Sequence, residues 1–347
     1  MSSLKKMSLF SFFTGAGGFD LGFESTGYWH IQFANDIHPV MIETLKLNKG
    51  KEVLPGVTFL DDANVSHQNV AEIDLSKFIN GKKIDLFLGG PPCQSFSVMG
   101  KHSGFEDKRG SLVYTFANLV KKFKPRAFLF ENVPNIKSPK WKEDFHKYCE
   151  IFRADGLYSV NDFTLLCADY GAATIRRRVF VFGLLASENK LVSAPRPSHF
   201  NNQLPSLFDQ EKPWKTVREV LEGLPQPSYK FSFPDLHFAP LHTPEVIERF
   251  EKLLPGQTDH KRKRDRLSWD KPSLTFMAGG EAGGTRNHIH PQEPRELTPR
   301  ECARIHGFPD EFTFAGNKSQ IAIQIANSVP IPMAKAWGNH IYEILNN

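Results

Sequence analysis

With 347 residues and a net charge of only +5, the chain is too long for one comfortable hydrophobic core and too nearly neutral for charge alone to prove a polyanion partner. Its make-up, 40% hydrophobic and 23% charged with no repeat or low-complexity tract, is that of a soluble globular protein, and 30 phenylalanines promise an aromatic core. Four cysteines (Cys93, Cys149, Cys167, Cys302) without a C-x-x-C pair argue against a zinc site or disulfide framework, so a cytoplasmic setting is expected; no stretch reaches the length of a membrane span.

The opening MSSLKKMSLFSFFTGAGG has two lysines before an apolar run, as a signal peptide does. That run is short and flows into a glycine loop, so it reads as a first strand. Further apolar runs, IQFAND, KIDLFLGG, RAFLFEN and RRRVFVFG, end in Gly, Asn or Asp as strands of a parallel sheet should. Between them, Leu112, Phe116, Leu119 and Phe123 form one helical stripe that Pro125 stops. This alternation predicts an α/β fold with a doubly wound, Rossmann-like sheet.

The loop FFTGAGGFDLG joins the first strand to a helix, where nucleotide cofactors dock. A dinucleotide fingerprint starting Gly15-x-Gly17 needs a third glycine where Asp20 stands, and a carboxylate there repels a pyrophosphate. S-adenosylmethionine, an adenosine without phosphates, is the better match. Asp36 then stands to accept the ribose hydroxyls, Ile37 to cover the adenine, and Asp62, beside Ala63, to accept from its amino group.

GGPPCQSF puts Cys93 behind a stiff Pro-Pro corner, which suits holding a reactive atom still. Arg176 and Arg178 alternate along a strand, so both face one side and Arg177 the other. After about residue 185 the texture becomes irregular and rich in Pro, Ser, His and Phe, and HKRKRDR (260–266) supplies five cations, a phosphate-contacting run or a solvated loop. HIH (288–290) lacks a third metal ligand at sensible spacing, so no metal is expected. Further on, Thr298 and Glu301 read as a capping box around Pro299, and Gly307 as the stop. A closing helix aligns Ala334, Trp337, Ile341 and Leu345.

FTGAGG, GGPPCQSF, FENVP, RRRVF, RELTPRECARIHGFPD and ANSVP stand in the order of the DNA (cytosine-5) methyltransferase family, which the chain resembles over about two thirds of its length. The resemblance implies a methyl group passed from S-adenosylmethionine to carbon 5 of a cytosine flipped out of duplex DNA. It implies Cys93 as the nucleophile adding to carbon 6, Glu131 as the proton-bearing partner of N3, and Arg176 and Arg178 facing the site. Covalent addition makes sense because carbon 5 is otherwise too weak a nucleophile. It further implies Phe13, Gly15, Gly17, Pro92, Leu112, Asn327, Ser328 and Val329 along the cofactor pocket.

Two departures stand out: Thr174 where the family has Gln, and Ala326 where it has Gly. The expected segments are 1–186 catalytic and cofactor-binding, 187–290 target recognition, 291–320 a hinge, and 321–347 returning to the catalytic domain. Residues 94–110 read as a closing loop, in which Met99 is a candidate to fill the vacated stack. A bacterial restriction-modification setting, with an endonuclease acting on the same site, and a monomer are expected. The rivals are an RNA cytosine-5 methyltransferase, an amino-methyltransferase, whose aromatic is replaced by Cys93, and a non-catalytic module. Cys149 and Cys302 in helices and Cys167 in a strand are expected to be core.

Overall fold

The apolar runs become one seven-stranded sheet. The computed structural model describes residues 6–79, 81, 83–92, 111–201, 212–278 and 285–347; Cys93, the segment 94–110 with Met99, and residues 279–284 lie outside them. Strands β1 (Met7–Phe12), β2 (Trp29–Asn35), β3 (Glu52–Leu54), β4 (Val57–Thr58), β5 (Asn64–Ser66), β6 (Leu86–Gly89), β7 (Ala127–Asn132), β8 (Tyr158–Leu166) and β9 (Arg177–Leu185) follow in chain order. All but the β3–β4 hairpin join the sheet, in the order β5-β2-β1-β6-β7-β9-β8. Pairings outward from β1 are parallel, but β9 runs antiparallel to β7, with Phe128 opposite Gly183 and Glu131 opposite Phe180. An apolar run buried on both faces carries no mark of direction, which is why β9 reads as parallel from sequence.

Helices α1 (Gly18–Glu24), α2 (Pro39–Asn48), α3 (Ser76–Ile79), α4 (Ser111–Phe123) and α5 (Lys142–Arg153) cover the strands. The stripe expected on α4 packs on the sheet: Phe116 is fully buried, and Leu112, Leu119 and Phe123 lie partly buried against the same core. That core is aromatic. Phe128 stacks on Phe152 at 4.2 Å, and Phe12 meets Phe87 and Phe116 edge-on at 5.0 and 5.9 Å. Such pairs add about 0.5–1.5 kcal/mol each beyond the area they bury.

Chain packing divides the protein into two compact units, one of Met1–Leu165, Arg177–Arg196 and Ala334–Asn347, the other of Leu166–Arg176 and Pro197–Met333. The second is built from short helices, α6 (Val217–Leu221), α7 (Pro244–Glu251), α8 (Pro299–Ile305) and α9 (Lys318–Asn327), and two-residue strand pairs. With little regular structure, it is stapled by ion pairs. Arg295 grips Glu301 through two bonds of 2.9 and 2.8 Å and also holds Glu293. Glu301 in turn accepts from Thr298 N at 2.7 Å, the expected capping box. The RELTPREC stretch is therefore a buried clamp at the start of α8. Gly307 takes the left-handed φ of 85° that the stop requires. In the closing helix α10 (Ile331–Asn346), Ala334, Trp337, Ile341 and Leu345 are all buried.

Candidate active site

The first unit gathers its polar groups at the carboxyl ends of β1, β2, β6 and β7, where ligands of open α/β sheets bind. Thr14 N donates to Asn35 O at 2.9 Å, Asn35 N to Thr14 Oγ1 at 3.1 Å and Gly15 N to Asp36 Oδ2 at 2.9 Å, so the glycine loop is zipped to the end of β2. Phe13 adopts φ 55°, a left-handed conformation that is an outlier for a bulky residue, and it leads into Gly15 and Gly17 at 59° and 82°. Gly17 must be glycine: a Cβ there would lie 2.5 Å from the Phe59 ring. At Gly15 a Cβ would meet nothing within 4 Å, so the backbone borders open space that a ligand can enter.

Asp36 is buried, and its second oxygen accepts from His38 N at 2.8 Å. Each oxygen keeps a lone pair for a ribose diol, so the residue fits an adenosine while also holding the loop. Ile37 is half exposed, as a residue that covers a ligand face should be. Asp62 is exposed with His30 Nε2 3.2 Å away, and Ala63 beneath it is buried.

Glu24 went unnoticed in the sequence. Its buried carboxylate accepts Leu60 N through both oxygens at 3.1 Å and fixes the left-handed Leu60 that starts the turn to Asp62. Burial raises its pKa to about 8. The only sequence signal was its place one helical turn after Asp20. Asp20 corrects the reading made from it. It lies wholly buried, and desolvation raises its pKa to about 7, with the Ser11 hydroxyl offsetting part of the shift. A buried, partly neutral acid presents no fixed charge to a ligand, so the repulsion argument against a pyrophosphate does not hold.

At the end of β7, Arg178 Nε donates to Glu131 Oε1 at 2.8 Å, and both side chains are about nine-tenths buried. Gly90 approaches the same carboxylate: a Cβ on it would lie 3.2 Å from Glu131 Oε2. Asn132 Nδ2 reaches Pro91 O at 3.5 Å. Gly90, Pro91 and the half-buried Pro92, the residues leading to Cys93, are thus fastened beside Glu131 and Asn132. Asn132 carries this tie, and its place in FENVP was the available signal.

In the second unit, Arg176 is fully buried, and its guanidinium donates to Phe276 O at 3.3 Å and Ala326 O at 2.6 Å. Arg177 is exposed, so the expected alternation holds in burial. The departures have local partners: Thr174 bridges to Ser273, and Ala326 supplies the carbonyl that Arg176 takes. Asn327 is exposed, Ser328 Oγ donates to Gln324 O at 2.7 Å to close α9, and Val329 is buried.

Cys149 and Cys302 are buried in helices, the first with its pKa pushed up to about 12 by burial. Cys167 is buried in a 3-10 turn, not a strand. His288 and His290 are buried, and among the described residues no group of three metal-ligating side chains forms a site. No helix among them is long and apolar enough to cross a membrane.

A Type II methyltransferase of Psychrobacter sp. (strain TA137), M.PspPI, is 31% identical over 99% of this chain and 80% of its own length. M.MthTI, a Type II methyltransferase of Methanothermobacter thermautotrophicus, is 31% identical over 96% of this chain and 97% of its own. Among solved structures, a prophage-encoded protein of E. coli described as a DNA modification methyltransferase superposes with a TM-score of 0.76 at 26% identity, covering 99% of this chain and 100% of that one. The family model for C-5 cytosine-specific DNA methylase matches residues 7–343. A match that takes in the glycine loop, the Gly90–Glu131 corner and α8 alike places the chain in the C-5 cytosine-specific DNA methylase family, as a DNA (cytosine-5-)-methyltransferase.

Proposed function

We propose that the enzyme methylates carbon 5 of a cytosine flipped out of a specific duplex DNA site, through a transient bond between Cys93 and carbon 6 of the ring. The observation that carries this reading is the corner where Gly90 meets the Glu131–Arg178 pair. Gly90, three residues before Cys93, lies there beside a carboxylate and a guanidinium, the two partners a pyrimidine needs at N3 and O2.

In this reading the Cys93 thiolate adds to carbon 6, Glu131 shares a proton with N3, and Arg178 offers its donors to O2. The added electron pair makes carbon 5 nucleophilic. S-adenosylmethionine, when bound, would supply a methyl group activated on a sulfonium, with the neutral thioether S-adenosylhomocysteine as the leaving group. Loss of the carbon 5 proton to a base then expels the thiolate and restores the ring. Gly15, Gly17 and Phe13 would leave room for the methionine end, Asp36 would hold the ribose, and Ile37, Asp62, Ala63, Pro92 and Leu112 would line the rest. Arg176 and residues 327–329 keep the roles their motifs imply, and residues 187–290 the recognition of the target. A restriction-modification setting, which the Type II relatives support, completes the proposal, together with a cytoplasmic location, a partner endonuclease and a monomeric methyltransferase.

The test is a pool of duplexes carrying 5-fluorocytosine, incubated with S-adenosylmethionine. Fluorine cannot leave as a cation, so the covalent complex should accumulate with the wild-type protein and be absent with Cys93→Ser. A pool that yields no adduct, alongside a transfer-RNA pool that does, would move the substrate from DNA to RNA.

A further inference from the structure

The basic run 260–266 does not act as one patch. Arg266 is buried and donates to four backbone carbonyls, those of Phe250, Leu253, Pro291 and Gln292, at 2.6 to 3.1 Å. Arg264 turns in to Glu296 at 3.2 Å. Both are consumed by the architecture. Lys261, Arg262 and Lys263 remain exposed, in the turn between the strands Thr258–Asp259 and Arg264–Asp265.

That turn is fixed from beneath. Asp259 is buried, receives Arg249 through bonds of 3.1 and 3.2 Å, and accepts Arg262 N at 3.2 Å. Asp265 takes the Thr258 hydroxyl at 2.6 Å, and Lys263 sits at φ 53°, which sharpens the bend. The nearby carboxylates are therefore occupied inward. Among the described residues, only Glu296 reaches an outer cation, lying 3.7 Å from Arg262, and it is already bonded to Arg264. Among the described residues, neither lysine ammonium pairs with a carboxylate. A pre-ordered turn that concentrates three cations, with its acids turned inward, has the electrostatic form of a phosphate contact.

The geometry points to the turn 261–263 as an anchor for backbone phosphates of duplex DNA, adding affinity for any sequence and taking no part in choosing the target. This rests on the proposed reading of residues 187–290 as the part that handles DNA. A contact of this kind releases counterions, and each phosphate neutralised steepens the fall of log affinity with log salt by about 0.9.

The test compares the wild type with a Lys261→Ala, Arg262→Ala, Lys263→Asn triple variant, asparagine being chosen because it tolerates a positive φ. Binding to a duplex of arbitrary sequence is followed by fluorescence anisotropy between 50 and 200 mM NaCl. The salt slope should fall by about 2 to 3, so that the wild type's advantage shrinks by up to about 40-fold over that range. KM for DNA should rise while kcat at saturating, low-salt DNA stays the same, and the melting temperature should not move. A charge-keeping Lys261→Arg, Lys263→Arg variant should bind like the wild type. An unchanged slope in the triple variant overturns the anchor and leaves the recognition reading standing. A wild type whose affinity for the duplex shows no salt dependence overturns that reading too.

Discussion

Arg178 Nε stands 2.8 Å from Glu131 Oε1, two oppositely charged groups that are both about nine-tenths buried. β9 runs antiparallel to β7 with Glu131 opposite Phe180, which brings Arg178 to the end of β7. Removing one member of such a pair strands the other in low dielectric. Arg178→Ala should therefore cost about 3–5 kcal/mol in urea unfolding, more than the pair itself contributes. Glu131→Gln keeps shape and one acceptor and should cost less. A proton-sharing role for Glu131 requires the same variant to lose about 10²–10⁴-fold in methyl incorporation. Full activity in Glu131→Gln would remove it from the chemistry.

Two glycines separate packing from catalysis. A Cβ on Gly183 would lie 2.1 Å from the Phe128 ring, which is itself stacked on Phe152 and has no room to retreat. Gly183→Ala should destabilise by about 1–3 kcal/mol or prevent folding. At Gly90 the clash is with a carboxylate oxygen at 3.2 Å, which can yield by a few tenths of an ångström. Gly90→Ala should thus melt near the wild type and still lose activity, because the displaced group is Glu131. If both variants lost stability and activity in proportion, the corner would have no special catalytic meaning.

What the sequence made legible follows from which signals are local. The capping box at Thr298 and Glu301, the stripe on α4 and the buried face of α10 depend on neighbours within a turn or two, and each stands where the pattern put it. The direction of β9 depends on a partner strand far along the chain, and its buried apolar run reads the same either way. Charge misled most. Asp20 reads as a charge facing a ligand yet is buried, and of the five cations in the basic run Arg266 is buried and Arg264 is turned in to Glu296. A side chain's partner, not its type, decides whether a charge meets solvent, and partners such as Glu296 lie tens of residues away. Arg176 shows the same limit: alternation set it on the side away from Arg177, but did not show the carbonyls of Phe276 and Ala326 that hold it.

The cysteines make a labelling experiment informative. Burial pushes the Cys149 thiol up to about 12 and holds the Cys302 thiol well above its ordinary value, and Cys167 has no exposed surface. Thiolate is the reactive form, so these three should react slowly with iodoacetamide at pH 7.5. One fast-labelled thiol is expected per chain, absent in Cys93→Ser, and its labelling should abolish activity. Rapid modification of two or more cysteines in the folded protein would contradict the burial described above.

The buried acids of α1 set a pH dependence whose sign is unambiguous. Desolvation raises Asp20 from 3.8 to about 7 and Glu24 from 4.5 to about 8, so each stays protonated in the folded protein after it has ionised in the unfolded chain. The unfolded state therefore binds fewer protons between about pH 4 and pH 8, and stability falls as pH rises through that window. Protonated, the two groups cost the fold little below pH 4; ionised and buried, they weigh against it above pH 8. Asp20→Asn is nearly isosteric and cannot ionise, so it should flatten the decline and be more stable than the wild type at pH 8, by up to a few kcal/mol. Glu24→Gln keeps an acceptor for Leu60 N and should flatten the decline between about pH 4.5 and pH 8, its effect alone remaining between about pH 7 and pH 8. Urea midpoints at half-unit steps from pH 5 to 9 read both effects. Parallel curves for wild type and Asp20→Asn would mean that the carboxyl is solvated, and with it the packing of α1 against β1 would have to be redrawn.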